Sequence, residues 1–215
     1  MGVRRPATLA DVAASALASF AMPWLSRNDE LPYRPMRVLV AGTSGSGKST
    51  LARRLASAVG LPYVELDALH HGAGWTVRPG FLDDVRRLSA QQRWSTEWQY
   101  AAARPILAAR ADLVVFLDLP RWRVMSRTVR RTIARRVRRV ELWNGNVEPP
   151  LHTILRDRDH IVRWAWRTHG EHPGQLAGLL AQRPDLPVVR LTHPRHVERW
   201  LAERIASASR PGRHA

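Results

Sequence analysis

The sequence predicts one α/β domain in which helices cover both faces of a parallel sheet, a three-layer α/β/α arrangement. Two observations lead to this fold class: short apolar runs alternate with helical segments along most of the chain, and 45% hydrophobic residues in 215 positions suffice for one core of this size. Because ligands of such sheets bind beyond the carboxyl ends of the strands, we expect the functional residues at that edge.

Five strands and seven helices are predicted in alternation. The second strand ends in an acidic residue, Asp67, and the fourth, between Asp112 and Asp118, has the clearest apolar run. The predicted strands span 36–41, 61–67, 94–100, 112–118 and 187–191. The predicted helices span 49–59, 81–92, 106–110, 121–138, 159–169, 174–182 and 195–207.

A glycine-rich stretch, GTSGSGKST, follows the first predicted strand. Its residues 42–49 fit the pattern G-x-x-x-x-G-K-[ST], in which backbone N–H groups cradle phosphates and the helix N-terminus adds its dipole. Lys48 would reach the β- and γ-phosphates, and the Ser49 hydroxyl would bind Mg²⁺. The predicted nucleotide-binding residues are Gly42, Thr43, Ser44, Gly45, Ser46, Gly47, Lys48, Ser49 and Thr50.

Lys48 is the only lysine in the chain. The sequence has 34 lysines and arginines together, so the other 33 are arginines. Lysine carries a compact charge on a flexible stem, whereas arginine carries a planar fork. A site that places one cation between two phosphates therefore suits lysine better, and Lys48 is a predicted catalytic residue.

The ends of the chain are predicted to lie outside this domain, which would span residues 36–207. Residues 1–35 read as an amphipathic helix and a linker; a cleaved signal peptide is the alternative, although Asp11 interrupts the apolar stretch. The tail 208–215 is expected to be disordered. No uninterrupted run of about 18 apolar residues occurs, so no membrane span is expected. The chain has no cysteine, which agrees with a cytoplasmic location.

The chain carries a formal net charge of +16, and nine of its arginines fall between Arg121 and Arg139. Such a density could serve a nucleic acid or an anionic membrane. It could equally form a lid over a bound phosphate compound, because the arginines follow a strand end. A helical, arginine-rich lid over residues 121–167 is the prediction preferred here.

Three acidic residues occupy predicted strand ends: Asp67, Glu97 and Asp118. A carboxylate near a phosphate-binding loop can hold Mg²⁺ through water or accept a proton from an attacking hydroxyl. Each could instead cap a helix or face solvent. Which of the three serves magnesium stays open at this point.

Residues 36–205 resemble the P-loop nucleoside-monophosphate-kinase-like family, and most closely its adenylate-kinase-related "DNA topology modulation" branch. The phosphate loop carries part of this resemblance. The rest lies in Leu66-Asp67-Ala68-Leu69-His70, in the stretch 94–100, and in Leu117-Asp118-Leu119-Pro120, which is followed by Arg127 and Arg131. Within 94–100, Glu97 stands where the branch has aspartate.

The resemblance implies a P-loop NTPase fold and an ATP- and Mg²⁺-dependent phosphotransferase. Its acceptor would be a nucleotide, a nucleoside or another small hydroxyl or phosphate compound. By resemblance Arg127 stacks on adenine, Arg131 contacts phosphate, and Arg156 and Arg167 act from the lid. The implied catalytic residues are thus Lys48, Asp67, Arg131, Arg156 and Arg167, the implied magnesium ligands are Ser49 and Glu97, and the loop at His193 and Pro194 would wrap the adenine.

A different class of function uses the same arginines. An ATP-binding regulatory or nucleic-acid-associated protein would grip a phosphate backbone with the basic helix. The stretch VRWAWR adds Trp164 and Trp166, which could stack on bases, although large aromatic residues are more often part of a core. The sequence names neither the acceptor nor the oligomeric state.

Overall fold

The computed structural model describes residues 24–157 and 160–205. In this part of the chain five parallel strands form one sheet in the order β1-β5-β4-β2-β3. The strands are β1 (Trp24–Leu25), β2 (Arg37–Gly42), β3 (Trp94–Glu97), β4 (Leu113–Leu117) and β5 (Val188–Leu191). Helices cover both faces, so the predicted three-layer α/β/α fold is confirmed.

Nine helices are described, and none is both long and apolar enough to cross a membrane. They are α1 (Lys48–Val59), α2 (Leu66–His70), α3 (Phe81–Ala90), α4 (Arg104–Ala108), α5 (Arg121–Val137), α6 (Thr153–Arg156), α7 (Ile161–Thr168), α8 (His172–Gln182) and α9 (Pro194–Trp200). The last continues as a wider turn over Leu201–Ile205, and two short 3-10 turns span Ala73–Trp75 and Trp143–Gly145.

The core lies on both sides of the central strands. Along β2, Val38 and Val40 point to one face and Leu39 and Ala41 to the other, as the alternation of a strand requires. Helices α1 and α9 cover the first face, whereas α3, α4 and α8 cover the second. Burial on both faces explains why β2 and β4 are almost continuously apolar.

The predicted strand 61–67 is wrong. Tyr63 makes a single parallel bridge to Ser95, and the chain then turns into α2 at Leu66. An acidic residue in the first turn of a helix is favoured by the helix dipole, and Asp67 has that place. Asp67 therefore reaches the carboxyl edge of the sheet from a helix that begins there.

The fifth strand is instead Trp24–Leu25, which pairs with Val188 and Val189 at the edge of the sheet. The predicted domain boundary at residue 36 left these two residues outside, although the ring of Trp24 packs on Phe116 with centroids 6.3 Å apart. The predicted N-terminal helix falls mostly on residues 1–23 and the predicted tail on 208–215. Both regions lie outside the described residues.

Candidate nucleotide site

The loop between β2 and α1 has the backbone of a phosphate cradle. Gly42, Gly45 and Gly47 have φ values of 144°, 84° and 104°. Residues that carry a Cβ rarely adopt such positive φ values. At Gly45 a Cβ would also lie 1.9 Å from the Oγ1 of Thr128, a residue of α5. The same hydroxyl shares its one hydrogen between the carbonyl of Val124 in its own helix, at 2.9 Å, and the carbonyl of Ser44 in the loop, at 3.3 Å. Helix α5 thus lies directly on the loop.

Lys48, the first residue of α1, is 9% exposed. Burial lowers the pKa of its ammonium group, the negative charges of Asp67 and Glu97 act in the opposite direction, and Arg131 and Arg104 add to the lowering. The structure therefore brings together four residues that the sequence analysis singled out: Lys48, Asp67, Glu97 and Arg131. We call them the charged cluster.

Glu97 ends β3 and is fully buried. The hydroxyl of Tyr63 donates to its Oε1 at 2.7 Å, and the backbone N–H of Leu66 donates to its Oε2 at 3.1 Å. Tyr63 also shares a hydrogen bond with the side chain of Ser49. Burial and the charge of Glu97 raise the pKa of Tyr63, so this phenol stays protonated. Ser49 and Glu97 are thus linked through Tyr63.

Hydrogen bonds from two side chains hold one carboxylate oxygen of Asp67, Oδ1. Gln99 Nε2 donates to its Oδ1 at 2.6 Å, and the hydroxyl of Tyr100 donates to the same oxygen. Among the described residues no hydrogen bond reaches Oδ2. The Tyr100 oxygen lies 3.1 Å from Nε2 of His71. Because a carboxylate only accepts, Tyr100 must donate to Asp67 and receive from His71, which fixes the tautomer of that imidazole.

Two arginines of α5 approach the site, Arg127 at the phosphate loop and Arg131 near Asp67. One guanidinium nitrogen of Arg127 donates to the carbonyl of Ser46 at 3.3 Å, and the other would lie 3.1 Å from a Cβ on Gly47. Arg131, one helical turn later, is half-buried. Burial lowers the pKa of its guanidinium, which the charge of Asp67 partly opposes. Its buried Nε has no hydrogen-bond partner in the described part of the protein.

The tip of the predicted lid is fastened to the loop after α2. Residues 71–77 and 141–147 each form a tight turn closed by one antiparallel bridge. The buried side chain of Asn146 joins the two turns: its amide donates to the carbonyl of Gly72 at 2.8 Å, and its oxygen accepts from the backbone N–H of Trp75 at 2.9 Å. We call this pair of turns the clasp.

Three aromatic rings of the clasp lie close together near Asp67. The ring of His71 lies 5.1 Å from that of Trp75 and 5.9 Å from that of Trp143, measured between centroids. Trp143 also shares a side-chain hydrogen bond with Glu65, just before α2. Aromatic faces beside carboxylates could hold a small polar molecule next to Asp67.

Sequence reasoning missed the residues that hold this site. Gln99 and Tyr100 lie in the stretch 94–100, which the sequence analysis singled out without giving either residue a role. A stronger signal was available: both turns of the clasp combine a tryptophan with a glycine, at Gly74-Trp75 and at Trp143-Asn144-Gly145.

Two other predicted site residues lie apart from these contacts. Arg156 is exposed at the end of α6. The guanidinium of Arg167 on α7 lies 5.4 Å from the ring centroid of Trp164. Their roles as lid arginines remain predictions.

Asp118, which follows β4, and His193, in the loop after β5, each bind a neighbouring group of the protein. Asp118 pairs with Arg190 of β5. His193 caps α9, because its Nδ1 accepts a hydrogen bond from the backbone N–H of Arg195 at 3.1 Å, and Pro194 is the first residue of that helix. An adenine-binding role for His193 and Pro194 stays a prediction.

His172, at the start of α8, is a buried titratable group beside the charged cluster. Burial, reinforced by the positive charges of Lys48 and Arg104, lowers its pKa to about 3. Its buried Nδ1 has no hydrogen-bond partner among the described residues. The imidazole is therefore neutral in the folded protein throughout the physiological range.

We expect His172 to make folding stability depend on pH. Its unfolded pKa is near 6.5 and its folded pKa is lower, so the unfolded chain binds the extra proton first. The stabilisation is complete above pH 6.5 and falls as the pH drops towards 3, by up to about 1.4 kcal/mol per pH unit. Urea unfolding at several pH values should show a steeper loss for the wild type than for His172→Gln; equal slopes would contradict this.

A family model described as AAA domain matches residues 38–156, more than half of the chain. The chain therefore belongs to this family. The match includes the phosphate loop, all four residues of the charged cluster and helix α5. Together with the parallel sheet and its flanking helices, the match makes the fold that of a P-loop NTPase.

One curated relative and several solved structures are similar to parts or most of the chain. A stretch of 62 residues is 40% identical to the bifunctional pantoate ligase/cytidylate kinase of Gloeobacter violaceus; it covers 28% of this chain and only 12% of that protein. An unliganded sugar kinase from Janibacter sp. HTCC2649 shares 22% identity at a TM-score of 0.44, over 83% of this chain and 99% of that one. A gluconokinase from Sinorhizobium meliloti 1021 shares 22% identity at a TM-score of 0.46, over 82% and 95%.

Proposed function

We propose that this protein is an ATP-dependent phosphotransferase that acts on a small acceptor. The observation that carries the proposal is the charged cluster beside the phosphate loop. Lys48 and Arg131 supply positive charge for the phosphates of the donor, and Asp67 offers an oxygen, Oδ2, that can accept a proton from an acceptor hydroxyl. Phosphoryl transfer is mostly a matter of positioning and charge neutralisation, and these groups perform both.

In this proposal the loop amides bind the phosphates of ATP, and α5 covers them from above. The contacts of Arg127 with Ser46 and Gly47 favour a position beside the phosphates over a stacking position on adenine. Guanidinium groups bind phosphate oxygens bidentately, so two arginines one turn apart suit a polyphosphate.

The oxygen donors near the loop suit Mg²⁺, which prefers hard oxygen ligands and keeps several waters. No group of three or more acidic or histidine side chains in the described part of the chain is placed to bind a metal, so the ion would depend on Ser49 and on the nucleotide. Glu97 would contribute through Tyr63, whose hydroxyl joins it to Ser49. When bound, Mg²⁺ neutralises phosphate charge.

The acceptor belongs to the same proposal: a nucleotide, a nucleoside or another small molecule with a hydroxyl or phosphate group. The relative whose name includes cytidylate kinase supports the nucleotide choice, although the similarity covers a short stretch. Arg156 and Arg167 of the lid, with His193 and Pro194, complete the proposed site. The "DNA topology modulation" branch stays the proposed position within the family.

The test is turnover of ATP by the purified protein in the presence of a panel of nucleosides, nucleoside monophosphates and small polyols. We expect ADP release that depends on one class of acceptor, with the phosphorylated acceptor as the second product. If no acceptor raises ADP release, and random oligonucleotides bind with steep salt dependence, the protein is instead a nucleic-acid-associated ATP-binding protein.

We expect Arg131→Ala to weaken ATP binding more than adenosine binding, because the proposed contact of Arg131 is with phosphate. Arg127→Ala should do the same, since Arg127 lies on the loop. Arg130→Ala is the matched control, because Arg130 is exposed on the same helix. Calorimetric titration with ATP and with adenosine checks this, and normal ATP binding by both variants would exclude α5 from the site.

A further inference from the structure

Helix α5 has two faces with different chemistry. Its inner face buries Val124, Thr128 and Thr132. On its outer face Trp122, Ile133 and Val137 are 66%, 41% and 72% exposed. We call these three residues the α5 stripe.

The stripe runs along one side of the helix. Ile133 and Val137 follow Trp122 by 11 and 15 positions, which is close to three and four turns at about 3.6 residues per turn. All three side chains therefore lie on the same side of the helix. At about 1.5 Å per residue the stripe is about 22 Å long. Three exposed large apolar side chains on one side of a single helix favour an interaction surface there.

Arginines border the stripe. The guanidinium of Arg123 lies 4.9 Å from the ring centroid of Trp122, and that of Arg121 lies 5.0 Å from the ring centroid of Trp166. Trp166 belongs to α7, which packs on α5, and is 56% exposed. Arg130 is exposed further along α5. The stripe thus lies beside the guanidinium groups of Arg123 and Arg130, and the pair of Arg121 and Trp166 adds a second exposed indole where α7 packs on α5.

We propose that this surface binds an anionic lipid bilayer. Two requirements select the partner: an apolar medium must receive the stripe, and negative charge must lie at its edges. The boundary between headgroups and acyl chains of an anionic bilayer provides both, with tryptophan and arginine at the depth each prefers. The net charge of +16 adds attraction from a distance.

A polynucleotide fits less well. Its phosphates would pair with Arg121, Arg123 and Arg130, and its bases could stack on Trp122. It would leave Ile133 and Val137 in water, because a phosphodiester backbone has no apolar surface to cover them. The aliphatic half of the stripe therefore decides in favour of lipid.

Membrane binding is compatible with nucleotide binding. The outer face of α5 would meet the bilayer, while Arg127 and Thr128 on other sides of the helix keep their contacts with the phosphate loop. ATP turnover in solution should therefore survive the loss of the stripe, so the two proposals can fail separately.

The experiment is cosedimentation of the full chain with vesicles of phosphatidylglycerol or of phosphatidylcholine. We expect binding to the anionic vesicles, and at least about a tenfold weaker affinity when Trp122, Ile133 and Val137 are all changed to serine. Arg123→Gln combined with Arg130→Gln should also weaken binding. The control pair Arg110→Gln and Arg199→Gln removes the same charge from exposed positions elsewhere and should have less effect.

The salt dependence of binding distinguishes a lipid partner from a nucleic-acid partner. Part of the vesicle binding should persist at about 0.5 M salt, where exposed charges are screened and the stripe remains apolar.

The proposal is overturned if the serine variant binds vesicles as the wild type does, or if both arginine pairs have equal effects. It is also overturned if the wild type binds oligonucleotides but not vesicles, or if the serine changes abolish a dimer and leave vesicle binding intact. Circular dichroism and ATP turnover report whether each variant is folded, and the arginine pairs test the surface if the serine variant is not.

Discussion

Lys48→Arg is expected to lower ATP turnover at least about tenfold, a loss of about 1.4 kcal/mol or more of transition-state stabilisation. The variant keeps the charge, so electrostatics alone does not predict the loss. Lys48 is 9% exposed and already lies within the fields of Arg131 and Arg104. A planar guanidinium needs more room and a different direction of approach to phosphate than an ammonium group does.

The reverse exchange in the same helix is the control. Arg54 is exposed on α1, and its fork binds Glu198 at 2.6 and 2.7 Å. Arg54→Lys should leave turnover near the wild-type value, since surface ion pairs contribute little. Steady-state turnover and ATP affinity, measured for both variants, check the prediction. Full activity of Lys48→Arg would show that the solitary lysine reflects no geometric requirement.

Local features of the fold were predictable from the sequence. The phosphate loop is specified by consecutive residues, and its glycines have the positive φ values that the motif requires. Strands β2, β4 and β5 are short apolar runs, which are buried in the sheet as such runs usually are. In each case the information lies within a few neighbouring residues.

Features that depend on distant partners were missed. Trp24–Leu25 forms a strand only because β5 lies beside it, and two residues carry no pattern of their own. The stretch 61–67 has the apolar content of a strand, yet tertiary contacts restrict its pairing to one bridge at Tyr63, and Leu66 and Asp67 begin a helix. Intrinsic strand propensity is only a weak determinant of the conformation of such short segments.

Most of the candidate site also depends on residues that are far apart in the sequence. Lys48 and Ser49 follow from the motif, whereas the role of Tyr63 depends on Glu97, 34 positions away. Tyr100 reaches Asp67 across 33 positions, and Asn146 reaches Trp75 across 71. No single sequence displays such pairings, because they arise when strand ends and loops meet at one edge of the sheet.

Asp67→Asn is expected to lower the rate of phosphoryl transfer by about a hundredfold to ten-thousandfold, the contribution typical of a general base, with ATP binding retained. The asparagine oxygen can still accept the hydrogen bonds that Gln99 and Tyr100 donate to Oδ1. The side chain would therefore stay in place. Its amide nitrogen would then occupy the position of Oδ2, and an amide cannot accept a proton from an acceptor hydroxyl.

Tyr100→Phe supplies the comparison, because it removes one hydrogen bond to Asp67 and leaves the carboxylate. We expect a smaller loss, about tenfold, since each such bond contributes roughly 1.5 kcal/mol or somewhat more when one partner is charged. Single-turnover transfer to the acceptor and ATP affinity are measured for both variants. If Asp67→Asn transfers phosphate as fast as Tyr100→Phe, Asp67 positions the acceptor and takes no proton; if it loses ATP binding instead, Asp67 supports Lys48 and the loop.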